Sequence, residues 1–463
     1  MCDCSVVALP VLAFALVFTT VAVEVPCLSP LKPLQQIVSG SIDSAASMAV
    51  IDCDKDVPPP LGPLGTGFDI NDVVVAGYDS WQVEWIQNTG VGLGWVKSSN
   101  SKIADMRNAR FVYAIATSTL SAVPSLVACN GYLGEQVGDF AHWCSHFVGD
   151  NNGNFAETVF ASNMRRLLHV DHADVSGDSF SDVVTLEGPS LSPFGTTFRF
   201  TAFTDNGAGG YSTTKNLLGD SGSVPGLFGA TTFALGDVTG DSETDIVYGT
   251  YGGANLLAYL PWSSSLTFGA PVPILGSGVG LTLSVQVGDF DGDGDTDVVH
   301  CNVASELRWF ENTAGDGTTW TARAFPFELP VSYMYVNDVD NDGDLDLVLS
   351  SQNVNNLFWV ANRYDSGGAG RTKDEAWGVL RSIALCNGCG AVTMGDLDTD
   401  GDDDIVAAAS FVDTVSGYLL NPLDPLQYSF VAAGLGAPGM IRPVDADGDG
   451  DTDVVATIGS PDN

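Results

Sequence analysis

Asp289, Asp291 and Asp293 stand at alternate positions in Val-Gly-Asp-Phe-Asp-Gly-Asp-Gly-Asp-Thr-Asp-Val-Val, with Gly294 next and Asp297 closing the set before Val298 and Val299. Carboxylates at that density repel one another unless a cation sits among them. A hard divalent ion with oxygen ligands is the expected occupant, and Ca²⁺ suits better than Mg²⁺ because it accepts many carboxylates in loose geometry. Gly294 supplies the positive-φ residue that lets so short a loop curl around an ion. An EF-hand is excluded: it needs a bidentate Glu at its twelfth position and a helix on each side. Here the twelfth residue from Asp289 is His300, inside a β-branched run. The loop is therefore predicted to join two strands.

The loop recurs. Asp338, Asp340, Asp342, Gly343 and Asp346 repeat it before Leu347; Asp396, Asp398, Asp400, Gly401 and Asp404 before Ile405; and Asp445, Asp447, Asp449, Gly450 and Asp453 before Val454. Two reduced copies lie upstream, Asp174, Ser176, Asp178 and Asp182, and then Asp237, Thr239, Asp241 and Asp245. In both a hydroxyl replaces the second carboxylate, and Ser179 or Ser242 replaces the glycine, so weaker ion binding is expected there.

The elements that must hold these loops follow from the flanking pattern. Gln35 to Ser39 and Ser47 to Ile51 read as strands, the second running into Asp52, Asp54 and Asp56. A Pro/Gly-rich insertion from Val57 to Gly67 separates those acids from Asp72, which precedes Val73-Val74-Val75 like a loop exit. Loops of that length are often functional. Trp85 to Asn88, Trp309 to Asn312 and Trp359 to Asn362 share a Trp-x-x-Asn ending, which reads as a third strand with Trp packing between neighbouring sheets. Between residues 103 and 160 one copy has lost its acids: Thr117, Thr119, Ser121 and Ser125 occupy the ligand positions, so that unit is expected to fold without an ion.

Loop starts at 52, 117, 174, 237, 289, 338, 396 and 445 are spaced by 49 to 65 residues. A unit of that size with three or four short strands and no amphipathic helix is a propeller blade. The fold class expected is all-β, a β-propeller of seven or eight four-stranded blades. The last unit is a half, and the strand around Ile37 is expected to complete it, joining the two ends of the chain and removing exposed edges.

The chain carries 17 Lys plus Arg against 57 Asp plus Glu, a formal charge of −40, which argues against nucleic acid or an anionic membrane as partner. With 45% hydrophobic and 10% aromatic residues it can still bury a core, unlike a disordered acidic chain. An apolar run from Ser5 to Val23 predicts a signal peptide or signal anchor over residues 1–26, although Asp3 stands where a positive residue is usual and the first lysine is Lys32. The remainder, 35–463, is read as one domain. Secretion, or display on the outer face of a membrane through that anchor, agrees with abundant extracellular Ca²⁺.

With the loops, the Trp-x-x-Asn strand ends and pairs such as Phe228-Gly229 and Phe268-Gly269, the sequence resembles FG-GAP/VCBS repeat proteins, from about residue 35 to the end. The resemblance implies a propeller stapled by several Ca²⁺ ions. It implies function poorly, since such propellers serve in adhesion, in lectins and in a few lyases.

Catalytic apparatus is sparse. His142 and His146, and His169 and His172, read as packed or exposed residues near turns, with no third metal ligand evident. Cys386 and Cys389 suggest a local turn disulfide, and Cys129 and Cys144 could bridge a hairpin. Two functions are carried forward. One is a binding or adhesion scaffold for a glycan or protein ligand; the other is a calcium-dependent polysaccharide-active enzyme, such as a lyase. Seventeen basic residues make a lyase base and a substrate-binding arginine cluster hard to supply, so binding is favoured and no catalytic residue is assigned.

Overall fold

The computed structural model describes residues 20–23, 35–36, 45–51, 72–77, 82–88, 95–96, 102–106, 109–114, 125–130, 142–150, 154–189, 198–205, 210–221, 227–251, 255–264, 266–276, 281–304, 306–351, 353–363, 377–395, 397, 403–409, 414–419, 427–433, 438–444 and 453–458. Among the described residues there are seven four-stranded antiparallel sheets, one five-stranded sheet and a two-stranded hairpin of Trp262–Ser264 and Thr267–Phe268. The fold is an all-β propeller of four-stranded blades, as the spacing of the loops predicted.

In the blade of the Asp289 loop, Thr282–Gly288, Asp297–Asn302, Leu307–Asn312 and Trp320–Ala324 pair in chain order. The Asp338 blade repeats this with Tyr333–Asn337, Asp346–Ser351, Asn356–Val360 and Arg381–Leu385. The five-stranded sheet departs only at its edge, where Trp95–Val96 and Lys102–Asp105 each pair with part of Gln82–Asn88.

The second strand of each unit explains the unbroken apolar runs after the loops. Asp182–Glu187, Asp245–Thr250, Asp297–Asn302, Asp346–Ser351 and Asp404–Ala409 are buried at every residue. A strand covered on both faces shows no alternation, and β-branched residues fill it. Outer strands differ: Trp320–Ala324 is exposed or half-buried throughout.

The core lies between blades. Phe290, Trp309 and Phe325 of the Asp289 blade share one cluster with Leu347, Leu349 and Val360 of the next. Trp359 and Val348 in turn pack with Val392, Ile405 and Ala407. Trp85 packs with Val112, Leu126 and Phe147, as the packing reading of the Trp predicted. Burial of this kind, worth roughly 25 cal/mol per Å² of apolar surface, makes each blade depend on its neighbours.

The segment before Ile37 joins the last unit's sheet, as expected, and a second strand from further upstream joins it too. Thr20–Val23 pairs with Asp453–Ile458 on one side and with Gln35–Gln36 on the other, which is the edge strand of that sheet. The end of the apolar run thus takes the inner place, between Asp453–Ile458 and Gln35–Gln36, which the sequence reading did not anticipate. Both segments alternate too little to reveal which one is paired on two sides. The rest of 1–26 falls outside the described residues, and no described helix is long and apolar enough to cross a membrane. Cys129 and Cys144 form a disulfide across paired strands, and Cys386 is also disulfide-bonded.

Candidate metal centre

Each described acidic loop joins the first strand of a blade to the second, so the loops share one end of the ring. The first aspartate shapes the loop by accepting backbone N–H groups. Asp289 Oδ1 and Oδ2 accept from Asp293 and Gly294 at 3.2 and 2.9 Å; Asp338 accepts from Asp342 and Gly343 at 3.1 and 3.0 Å. Asp174 and Asp237 do the same toward Ser179 and Ser242, at 2.6 and 2.7 Å. Asp178, Asp241, Asp293 and Asp342 each accept the N–H two residues on.

Two left-handed residues make the curl. Gly294 and Gly343 have φ of 92° and 95°, and Ser179 and Ser242 adopt 71° and 69° at the same place. A second left-handed position, Gly177, Gly240, Gly292 and Asn341, was not anticipated from the sequence. Its signal was present as Gly or Asn at the fourth residue of each loop.

Asp289, Asp291 and Asp293 bring one carboxylate oxygen each within 4.8 Å of one another, and so do Asp338, Asp340 and Asp342. Asp291 is 1% exposed. Asp340 Oδ1 is sequestered with no hydrogen-bond partner, and burial, then the charges of Asp342 and Asp338, push the Asp340 carboxyl up to about 6. An oxygen kept from water without a proton donor is costly. The donor set therefore fits a hard cation.

The closing aspartate has a further task that the sequence did not disclose. Asp297 Oδ2 accepts from Trp309 Nε1 at 3.0 Å and Oδ1 from the Asn312 N–H at 2.7 Å. Asp346 repeats this with Trp359 at 3.0 Å and Asn362 at 2.6 Å, and also accepts from Val339. Both residues lie outside the groups of three converging acids and latch the loop to the third strand. Burial comes first in raising both to about 8, and Asp291 and Asp293, or Asp340 and Asp342, add to it. Burial raises Asp182 and Asp245 to about 6, while backbone N–H donors and the Ser176 or Thr239 hydroxyl oppose it and Asp178 or Asp241 adds to it. Asp404 is fully buried and accepts from Leu397.

The Trp-x-x-Asn ending thus has a polar purpose beside packing. Asn312 Nδ2 donates to Val238 O at 2.9 Å and Asn362 Nδ2 to Phe290 O at 2.7 Å, each into the loop of the preceding blade. Trp262 Nε1 reaches Val175 O in the same way at 3.3 Å. Loops of successive blades are tied to one another.

The acid-free unit keeps the geometry without the charge. Ser125 takes the place of the latch aspartate. His146, paired with Val127 as Trp309 is with Val299, meets its hydroxyl at 2.6 Å. Exposures of 2% and 1% keep this Ser–His pair away from any substrate, and burial lowers the His146 pKa. His169 packs on Phe233 with ring centroids 4.6 Å apart, and His172 contacts Ser181. Asp52, Asp54, Asp56, Asp396, Asp398, Asp400, Asp445, Asp447 and Asp449, with Thr117, Thr119 and Ser121, lie outside the described residues; Asp72 and Asp453 open strands, and their side chains are not described.

No curated protein matches the sequence. Among solved structures, the Dos1 propeller is similar with TM-score 0.48 at 11% identity, over 90% of this chain and 93% of that one. The periplasmic gluconolactonase PpgL of Pseudomonas aeruginosa gives 0.46 at 13% identity, over 80% and 97%. BBS1N, solved in complex with ARL6DN, gives 0.38 at 9%, over 62% and 74%. Residues 237–300 and 338–407 match the FG-GAP-like repeat, and they span loops and buried second strands of the kind just described. Residues 237–300 and 338–407 thus carry FG-GAP-like repeats, and they lie in blades of a β-propeller.

Proposed function

We propose that this propeller is a calcium-binding scaffold, exported from the cell, that holds a glycan or protein ligand and performs no chemistry on it. The observation that carries the calcium reading is the convergence of Asp338, Asp340 and Asp342 around a space where Asp340 Oδ1 has no proton donor. Asp289, Asp291 and Asp293 provide a second site of the same design. Oxygen-only donors of high charge select Ca²⁺, which tolerates the loose arrangement that Mg²⁺ does not. Bound ions would offset the repulsion that raises the latch aspartates. Because the latch joins the loop to the third strand and the Asn joins it to the preceding blade, ion binding would stiffen the whole ring.

Export is supported by the Cys129–Cys144 disulfide, since such bonds persist in oxidising compartments. The scaffold reading draws support from the burial of the Ser125–His146 pair, which resembles a nucleophile and base yet faces a blade interior. The test is a thermal melt in EDTA against a Ca²⁺ titration, with bound ions counted by native mass spectrometry. A rise in midpoint with Ca²⁺ and several ions per chain is expected, because a ligand binding only the folded form stabilises it. An unchanged midpoint with no bound ion sinks the calcium assignment. Cleavage of acidic oligosaccharides by the purified protein would replace the scaffold reading by the lyase one.

A further inference from the structure

We propose that the axis of the ring holds a site for a neutral pyranose sugar, stacked on Tyr333 and hydrogen-bonded by Asp171 and Arg442. This rests on the binding-scaffold reading and deepens it by naming the ligand class and its place; it uses none of the acidic loops. First strands of neighbouring blades touch one another, so they form the inner wall of the propeller. Pairing register puts Tyr113, Asp171, Gln286, Tyr335 and Arg442 at one level of that wall. Each stands opposite a valine of its second strand: Val127, Val184, Val299, Val348 and Val455.

These residues come from separate blades and still share one space. Tyr113 donates to Val170 O of the next blade at 2.6 Å, and its ring meets His172 edge-on with centroids 5.6 Å apart. Tyr335 makes the equivalent bridge, accepting the Val392 N–H at 3.1 Å. Tyr333, two residues earlier and so on the same side of the strand, has its ring centroid 5.1 Å from that of Tyr335. Burial first, then Asp171 and Tyr333, raise the Tyr113 phenol, and Arg442 opposes them. Burial, then Tyr333, raise the Tyr335 phenol, while the Val392 N–H and Arg442 oppose. One tyrosine and one arginine thus act on phenols of two blades that are not neighbours, which only the axis permits.

The polar groups left open set the chemistry of the ligand. Tyr333 is 49% exposed at the start of its strand, the end away from the Asp338 loop, so solvent reaches the axis from that side. Its ring is flat and apolar with a polar tip, which suits the C–H face of a pyranose. Asp171 Oδ1 accepts the His172 N–H at 2.8 Å, and its Oδ2 has no partner among the described residues. Arg442 donates from Nη1 to Ile441 O at 3.0 Å and meets no carboxylate among the described residues, so most of its donors are open. A hydroxyl both donates and accepts, so adjacent sugar hydroxyls serve the carboxylate and the guanidinium together. A charged ligand would set a like charge against Asp171 or Arg442, which is costly. One acid and one base at this level therefore select a neutral ligand, and the half-buried Gln286 adds an amide beside them.

The test is saturation-transfer NMR on the full chain in saturating Ca²⁺. The probes are the methyl glycosides of glucose, galactose, mannose and N-acetylglucosamine, with the methyl glycoside of glucuronate as the charged comparison. At least one neutral glycoside is expected to bind, with a dissociation constant of about 1 mM. Tyr333→Ala should weaken it about 3- to 10-fold, through the lost stack, and Asp171→Asn about 10-fold. Phe228→Ala, which removes an exposed ring remote from the axis, should bind as the parent does. No neutral glycoside bound up to about 50 mM, the glucuronate bound more tightly than every neutral sugar, or unaffected Tyr333→Ala and Asp171→Asn proteins overturns the proposal. Failure of every glycoside with a melt that still rises in Ca²⁺ sinks this site and leaves the calcium scaffold standing. Sugar binding with an EDTA-insensitive melt does the reverse.

Discussion

Asp346→Asn tests the latch independently of any bound ion. Asp346 is fully buried and accepts three N–H groups: Asn362 at 2.6 Å, Trp359 Nε1 at 3.0 Å and Val339 at 3.3 Å. An asparagine can keep one acceptor on Asn362, but its NH₂ then faces the Trp359 and Val339 donors. Two buried donors lose their partner, at about 1–3 kcal/mol each, for a sum of about 2–6 kcal/mol. Removing a carboxylate that burial, Asp340 and Asp342 already disfavour offsets part of this, so about 2–3 kcal/mol is expected without metal. Urea unfolding in EDTA reads that number directly. Asp338→Asn should by contrast cost more with Ca²⁺ present than in EDTA, because its carboxylate belongs to the converging group. An Asp346→Asn protein as stable as the parent in EDTA would refute the latch.

Three further outcomes are expected. Asp340→Asn should weaken Ca²⁺ binding at its loop by about tenfold or more in calorimetry, since it removes one of three converging charges. Ser242→Gly should stabilise and Gly294→Ala destabilise, each by about 1 kcal/mol in urea, because both residues are left-handed and a Cβ at Gly294 meets nothing within 4 Å. Burial holds His300 at about 4, below its usual 6.5, with Glu306 and Arg308 as smaller opposing influences. The unfolded chain therefore binds a proton first, and stability should fall as pH drops from 6.5 toward 4, by up to about 3 kcal/mol. His300→Gln should flatten that part of the stability–pH profile relative to the parent.

How much was legible in the sequence follows from range. The loops were readable because ligand spacing, the glycine at the sixth residue and the β-branched exit are local, and repetition made them specific. The same spacing set the size of a unit and hence the propeller. Trp309 and Trp359 were readable as packing residues because they recur with the unit. Their donation to Asp297 and Asp346 was not, since the partners are 12 and 13 residues apart and meet only when two strands pair.

Contacts between units were beyond any local pattern. Asn312 and Asn362 looked like strand-ending turn residues, yet their side chains reach carbonyls 74 and 72 residues back, in another blade. Ser125 and His146 looked unrelated, and pairing register made them a neutral substitute for the latch. The segment before Ile37 does join the last unit's sheet, but the insertion of Thr20–Val23 between it and Asp453–Ile458 was not legible, because a sheet edge accepts any strand that geometry delivers. Sequence by itself determined the repeat, the spacing of its carboxylates and its succession of strands, all properties of a single unit. Tertiary structure alone decided which carboxylates converge, which one turns to bind Trp and Asn, and which residues share the axis of the ring. Those depend on groups far apart in the chain that only the packed ring brings within hydrogen-bond reach.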